Sequence, residues 1–297
     1  MRLAYMRFCV HFGRRYVPAD PITVVTYAVF LCRSLKPSSI PSYLNIIRLI
    51  HLDAGYPDPL HDNFALACVK RGIKRVLGCT PKQKLPITPA VLLKMKSVLC
   101  FDNPVDVTFW CACLVAFYAF FRKSTLVPKT KSSEYDKSLR LNDAEFRDNS
   151  LVVLHVSHTK TIQYHERVLE VPFVACPGSD LDPVESLEKL RNGIPKKFHE
   201  LNPPLFSFVE NGKLDFLVYN TFVTKLKQCL SSAGYDASMY SGHSFRRGGA
   251  TFSFEIGLPA HLIKLRGDWR SNCYERYITV PRSINEQMAR ALVLAAA

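Results

Sequence analysis

The stretch SGHSFRRGGATFSFEIGLPAHLIKLRGDWRSNCYERYI, from Ser241 to Ile278, combines an apolar helical pattern with polar side chains. His243 precedes Arg246 by three residues, so a helix places the two one turn apart. Trp269 follows, and Tyr277 ends a short helix-like segment. The stretch predicts a cluster of these four side chains, and its alternative interpretation is a helical core with satisfied polar residues.

The net charge of the chain is positive and unevenly distributed. The 297 residues carry a formal charge of +14, and residues 1–84 contain 13 Lys and Arg against 4 Asp and Glu, a net of +9. Lysine and arginine that neutralise phosphates release condensed counterions, so such a region favours a polyanionic partner. The charge predicts nucleic-acid binding, and a basic protein without such a partner is the alternative.

Cysteine usage and hydrophobic runs indicate the compartment. The ten cysteines lie among aliphatic residues without CxxC pairs, which indicates small buried hydrophobes in a reducing compartment and no zinc or disulfide framework. The start, MRLAYMRFCVHFGRR, lacks the apolar core of a signal peptide. The most hydrophobic run, residues 107–121, is short for a membrane span and predicts a buried helix. We expect a protein that is neither secreted nor in a membrane.

The first 80 residues predict a compact helical domain. Asp20 and Pro21 form an N-cap followed by proline at the first helical position, and Gly78 ends a helix that begins near residue 62. One face of that last helix is basic, and two lysines follow it in an extended stretch. The residues expected to contact DNA phosphates here are Lys70, Arg71, Lys74, Arg75, Lys82 and Lys84. A solvated charged face is the alternative.

The stretch CTPKQKLPITP, residues 79–89, predicts a domain boundary, because it is rich in Pro and Lys and has no hydrophobic period. The expected division is a domain of residues 1–80, a linker of residues 81–87 and a domain of residues 88–297. In the second domain EFRD, LVVLHVS and ERVLEVPF predict a three-stranded antiparallel meander, and Asn211-Gly212 predicts a small hairpin. The rest reads as helices, so the fold class is mainly α with a small antiparallel β-sheet.

A tyrosine near arginines and a histidine has a defined chemistry if the partner is DNA. A phenol that attacks a phosphodiester forms a phosphotyrosyl bond and releases a hydroxyl. Arginines bind the non-bridging oxygens, a histidine helps to remove the phenol proton, and a lysine protonates the leaving oxygen. This chemistry needs no metal, ATP or other cofactor, and the sequence has neither a GxxxxGK[ST] loop nor a carboxylate cluster for two metals.

The motifs GHSFRRGGAT and GDWRSNCYERY resemble the tyrosine recombinase (phage integrase-like) family, most closely the eukaryotic mobile-element recombinases of the Crypton and DIRS-like groups. The motifs FFRKST and HTKTIQ match the positions of that family's first arginine and lysine. The resemblance covers nearly the whole chain and implies a helical core-binding domain followed by an α+β catalytic domain. The catalytic residues that it implies are Arg122, Lys160, His243, Arg246, Trp269 and Tyr277.

The resemblance implies a site-specific recombinase that acts on double-stranded DNA through a 3′-phosphotyrosyl intermediate. It also implies two protomers at each site and four in the synapse. The apolar C-terminal helix from Ile284 is expected to dock into a neighbouring subunit or to pack on its own domain. We expect nuclear residence if the host is eukaryotic and cytoplasmic residence otherwise. The alternative function is a DNA-binding protein, derived from a mobile element, that has lost recombination activity.

The sequence departs from the family pattern in three places. Thr125 stands where the family has an acidic residue behind its first arginine, and the gap between Trp269 and Tyr277 is one residue short. The core-binding domain is expected to be truncated at its N-terminus. Tyr274, on the same helical face, is the rival nucleophile, and Arg247 is expected to contact DNA or solvent.

Overall fold

The computed structural model describes residues 1–78, 83–132, 137–148 and 150–296. The chain forms two compact units, residues 1–83 and residues 84–297. The division falls within residues 79–89, where the sequence predicts a boundary. Lys82, one of the predicted DNA contacts, lies outside the described residues.

The first unit is helical in its described part, and its helices are α1 (Arg2–His11), α2 (Pro21–Cys32), α3 (Ile40–Asp53) and α4 (Phe64–Leu77). Helix α2 begins as predicted, because the Asp20 carboxylate accepts a hydrogen bond from the Thr23 amide at 2.7 Å. The four helices bury one apolar core around Tyr5, Tyr27 and Ile47. Helix α1 was not expected from the sequence.

The second unit is larger. Its regular elements in the described residues are, in chain order, α5 (Pro89–Lys96), α6 (Pro104–Tyr118), α7 (Lys123–Leu126), β1 (Ala144–Asp148), β2 (Leu151–Val156), β3 (Leu169–Val174), α8 (Pro183–Asn192), β4 (Ser207–Glu210), β5 (Lys213–Phe216), α9 (Tyr219–Ser232), α10 (His243–Glu255), α11 (Ala260–Arg266) and α12 (Arg282–Ala296). Short 3₁₀ helices include Asn272–Arg276, just before Tyr277.

Helix α6 is the centre of the second unit. Its residues 108–117 are all buried, as expected for a continuous apolar run. The helix ends at Tyr118 and not at Phe121, because the backbone turns at Phe120, which has a φ of 53°. Arg122 is therefore extended and precedes α7 as its N-cap.

The predicted meander and hairpin are confirmed. Strands β1, β2 and β3 form an antiparallel sheet in that order, with Phe146 opposite Val152 and Leu154 opposite Val171. Strands β4 and β5 pair through Asn211 and Gly212, which both have positive φ, as a tight type I′ turn requires. The fold class, mainly α with small antiparallel sheets, is confirmed.

Two adjacent glycines allow α10 to pack closely on the rest of the unit. A Cβ at Gly248 would lie 1.7 Å from the carbonyl oxygen of Ile87, and one at Gly249 would lie 2.2 Å from that of Phe117. Only glycine fits at such distances. This close packing fixes the start of α10 beside the end of α6.

Two sequence expectations concern the burial of the cysteines and membrane-spanning helices. Cys100 and Cys176 are exposed, so the interpretation of all the cysteines as buried hydrophobes is wrong for these two. Among the described helices, none has both the length and the apolar character needed to cross a membrane.

Candidate active site

The buried side chain of Arg246 holds the candidate site together. Arg246 lies on the first turn of α10 and is 2% exposed. Its Nη1 donates to the carbonyl oxygen of Phe120, and its Nη2 donates to that of Gly267 at 2.8 Å. Phe120 lies just before Arg122, and Gly267 lies just before Trp269. One guanidinium thus joins the segments that carry three of the predicted catalytic residues.

Two aromatic rings cover the Arg246 guanidinium. Its Cζ lies 3.7 Å from the ring centroid of Trp269 and 5.2 Å from that of Tyr277. The two ring centroids are 5.4 Å apart, with the planes tilted by 52°. Contacts between arginine and aromatic faces are favourable, more so when the cation is desolvated. The structure therefore brings Arg246, Trp269 and Tyr277 into direct contact.

His243 and Arg122 lie close enough to the Arg246 guanidinium to interact with it electrostatically. Burial, followed by the nearby Arg122, lowers the pKa of Arg246 to about 9, while the Tyr277 phenol acts in the opposite direction. The pKa of His243, which is exposed as a residue, is lowered by partial desolvation of its ring and by the positive charges of Lys123, Arg122 and Arg246. A histidine with a lowered pKa is neutral at pH 7 and can accept a proton.

A polar cleft of about 320 Å³ is lined by Arg122 of this cluster and by the last of the predicted catalytic residues, Lys160. Its other lining residues are Ser124, Thr125, Lys137, His158, Thr159 and Gln163. Lys160 is exposed, in the connection between β2 and β3. The basic lining suits an anion such as a phosphate. Sequence reasoning did not include Lys137 or His158, although His158 stands only two residues before Lys160.

Arg247 differs from its prediction. The side chain is buried and not on the surface. Its Nη1 donates to the carbonyl oxygen of Arg276 at 3.0 Å, and its Nη2 donates to the Thr279 hydroxyl at 2.8 Å. One step along α10 turns Arg247 away from Arg246 and toward the chain on either side of Tyr277. In this structure Arg247 holds the tyrosine segment in place, so the interpretation as a solvent contact is wrong, whereas a contact with DNA stays a prediction.

The two tyrosines of the candidate stretch have different surroundings. Tyr274 is 8% exposed and packs in an apolar cluster with Phe120 and Trp269. Tyr277 is only partly buried and faces the Arg246 guanidinium. A nucleophile needs both access to substrate and a nearby cation. The surroundings of Tyr277 meet these needs better.

The basic residues of the first unit lie on the open side of α4. Lys70, Arg71, Lys74 and Arg75 are all exposed. Three of them line a cleft of about 260 Å³ with Ile40 and Pro41 of α3. In the second unit, exposed Lys84 donates through Nζ to the carbonyl oxygen of Ser238 at 2.5 Å. The structure thus groups four of the predicted DNA contacts on one helix face.

Comparison with known proteins gives one sequence relative and several structural neighbours. No model of a known protein family matches the chain. The chain is 23% identical over 260 residues to the integrase/recombinase XerD homolog of Selenomonas ruminantium. The aligned region is 86% of this chain and 72% of that protein.

Solved structures share the fold at low identity. The XerH site-specific recombinase, bound to palindromic difH substrate in a post-cleavage complex, superposes with a TM-score of 0.58 at 12% identity, over 96% of this chain and 75% of that chain. A lambda integrase dimer bound to a COC′ core site gives a TM-score of 0.54 at 13% identity, over 93% and 87%. The fold is that of the tyrosine recombinases. The chain is thus similar in fold to these recombinases and integrases, and similar in sequence to the XerD homolog.

Proposed function

We propose that the chain is a site-specific DNA recombinase that breaks and rejoins strands through a covalent 3′-phosphotyrosyl intermediate. The observation that carries the proposal is the contact of Tyr277 and Trp269 with the buried cation of Arg246, beside the basic cleft of Arg122 and Lys160. This arrangement supplies a nucleophile, a charge-stabilising group and a proton donor within one unit.

In the proposed reaction the Tyr277 oxygen attacks the scissile phosphorus. The new O–P bond forms as the bond from phosphorus to the 5′ oxygen breaks, and neutral His243 accepts the phenol proton. Lys160 donates a proton to the 5′ oxygen as it leaves. Attack of a 5′ hydroxyl on the phosphotyrosine reverses these transfers and rejoins a strand, so the cycle needs no ATP and no metal.

The negative charge of the transition state falls on the non-bridging oxygens. In the proposed reaction Arg122 and Arg246 are the cations that stabilise it. Among the described residues, the buried N–H groups of the site without a hydrogen-bond partner include Nε1 of Trp269 and Nε of Arg246. Buried donors are normally satisfied, so a phosphate oxygen at this place would complete both hydrogen-bonding sets.

A trapping experiment tests the proposed function. We incubate the chain with a pool of nicked duplexes of randomised sequence, in EDTA and without ATP. The duplexes are nicked because the short cleaved strand can then dissociate, which leaves the covalent adduct trapped. The expected product is an SDS-resistant adduct of the 33.7 kDa chain with DNA, enriched over successive rounds of recovery. A chain that shifts duplexes in a native gel but forms no adduct in any round would be a DNA-binding protein without recombination activity.

We propose that the basic face of α4 binds the phosphate backbone. Neutralising Lys70, Arg71, Lys74 and Arg75 with glutamine is expected to weaken duplex binding. It should also reduce the slope of log K against log salt by about 0.9 for each phosphate that the variant no longer neutralises. The measurement is a salt titration of binding to a fluorescent duplex.

A matched control removes the same number of exposed cations elsewhere, by replacing Lys189, Lys196, Lys197 and Lys213 with glutamine. The control should retain most of the salt slope. If both variants show the same reduction in slope, binding depends on net charge alone and the face of α4 has no special role.

Assembly and origin complete the proposal. The C-terminal helix α12 exposes an apolar set, Met288, Leu292, Val293 and Leu294. We propose that this helix docks on a neighbouring protomer, with two protomers on each double-stranded site and four in the synapse. The lambda integrase structure, which is a dimer on its core site, supports the pairing of protomers.

The wording of the motifs supports a eukaryotic mobile element as the source, and such an enzyme would act in the nucleus.

A further inference from the structure

The Asp268 carboxylate links two segments of the candidate site that are more than 100 residues apart in sequence. Asp268 immediately precedes Trp269, and its side chain is 9% exposed. Its Oδ2 accepts hydrogen bonds from the hydroxyls of Thr159, at 2.8 Å, and of Thr161. These two threonines flank Lys160. The carboxylate thus holds the chain on both sides of Lys160 by hydrogen bonds.

The connection that carries Lys160 has its own turn built on Thr159. The Thr159 Oγ1 accepts hydrogen bonds from the amides of Thr161 and Ile162, at 3.0 and 3.1 Å. The Thr159 amide in turn donates to the carbonyl oxygen of Ile162 at 3.0 Å. Thr159 and Ile162 are buried while Lys160 is exposed. The turn therefore presents the lysine to the cleft, and the Asp268 carboxylate anchors the turn.

Further contacts from the same stretch hold the rest of the connection. Arg167 donates to the other carboxylate oxygen of Asp268. Arg270 donates to Glu166 at 2.9 Å and to the carbonyl oxygen of Thr161. Residues 268–270 therefore hold the connection between β2 and β3 at both of its halves. Exposed connections without such contacts are among the most mobile parts of a protein.

The backbone at Asp268 indicates that the carboxylate itself is needed. Its φ is 51°, in the left-handed region that follows α11. Glycine adopts this conformation at no steric cost, whereas a side chain costs energy there. Burial would raise the pKa of Asp268, but hydrogen bonds from Thr161, Thr159 and Arg167 lower it overall. An ionised acceptor therefore stands where the turn alone would favour glycine.

We propose that Asp268 is a positioning residue, which fixes the Lys160 turn relative to Trp269 and so brings the lysine ammonium to the leaving 5′ oxygen. The inference rests on the proposed function. It assigns Asp268 no contact with DNA: the residue acts through Lys160 and on one proton transfer of the reaction.

The test compares two leaving groups in single-turnover cleavage of a duplex recovered from the trapping experiment. With the normal phosphodiester, Asp268→Ala is expected to lower the cleavage rate by about 100-fold, within the range of general acid catalysis. With sulfur in place of the bridging 5′ oxygen, the thiolate leaves without protonation. On that substrate Asp268→Ala and Lys160→Ala should both return to within about 3-fold of the wild type.

A second variant keeps the test valid if Asp268→Ala does not fold. Thr161→Val removes one hydroxyl from the anchor and leaves the carboxylate in place, so it should show the same selective defect at about 10-fold. The control is Asp180→Ala, which removes an exposed carboxylate that pairs with Lys96 far from the site in sequence. It should cleave both substrates like the wild type.

Three other outcomes would contradict either the role of Asp268 or the proposed function. If the Asp268 and Thr161 variants are equally slow on both substrates, the defect does not act through Lys160 and the inference is wrong. The inference is also wrong if both variants cleave the normal substrate at the wild-type rate. If the wild type cleaves neither substrate, the proposed function itself fails, and the inference fails with it.

Discussion

Tyr277→Phe is expected to abolish the covalent adduct, with a loss in cleavage of at least about 10⁴-fold, because phenylalanine has no oxygen to attack phosphorus. The ring remains, so its packing against Trp269 and over the Arg246 guanidinium is retained. Affinity for the duplex should therefore change by less than about 2-fold. The measurements are SDS-resistant adduct on a nicked duplex and binding in a native gel.

Tyr274→Phe is the matched control. Both changes remove one phenol oxygen from the same short segment, and Tyr274 packs against Trp269 with ring centroids 6.1 Å apart. Because Tyr274 lies in the apolar cluster, its variant should form adduct within about 3-fold of the wild type. If Tyr274→Phe abolishes the adduct and Tyr277→Phe does not, the nucleophile is Tyr274.

Arg246→Lys is expected to lower the cleavage rate by about 10³-fold and to destabilise the second unit. A lysine carries the charge as a point and lacks the planar fork of donors, so it cannot serve two carbonyls and a phosphate together. The carbonyl oxygens of Phe120 and Gly267 lose a donor, which costs about 1–3 kcal/mol for each group left unsatisfied. The measurements are single-turnover cleavage and thermal unfolding.

Arg266→Lys separates these two effects. Arg266 is a second arginine with a pKa lowered by burial, to about 10. It also donates to two backbone carbonyls, of Tyr118 and Pro172, both at 2.9 Å, and lies over the Phe173 ring. It should lose similar stability but cleave within about 3-fold of the wild type below its unfolding temperature. Equal cleavage by the two variants would leave Arg246 with a structural role alone.

The sequence predicted the elements whose ends carry local signals. Asp20 before Pro21 and the Asn211-Gly212 turn depend on nearest neighbours, so the pattern alone indicates α2 and the β4–β5 hairpin. Helix α1 has no such signal, because its N-cap is Met1, which makes no side-chain hydrogen bond. Two of its apolar residues, Leu3 and Val10, are also exposed and blur the helical pattern.

The candidate site was predicted in its residue types and order but not in its contacts. A motif names Arg246 and Arg247 side by side, and only the packing of α10 decides which one meets Trp269 and which holds the tyrosine segment. Asp268 was missed because its partners lie 107 and 109 residues away. What sets Asp268 apart is its φ of 51°, in a region that favours glycine, and φ cannot be read from a sequence.

The rings of Trp269 and Tyr277 cover the Arg246 guanidinium, which binds the phosphate in the proposed reaction. If the proposed reaction holds, we infer that the Tyr277 ring moves away from the 2% exposed guanidinium as a phosphate binds there, and that the same movement presents the phenol to the phosphate. Access of the phosphate to Arg246 and exposure of the nucleophile would then depend on one side-chain movement. In the proposed recombinase, a protomer without bound DNA would then hold its nucleophile against Arg246.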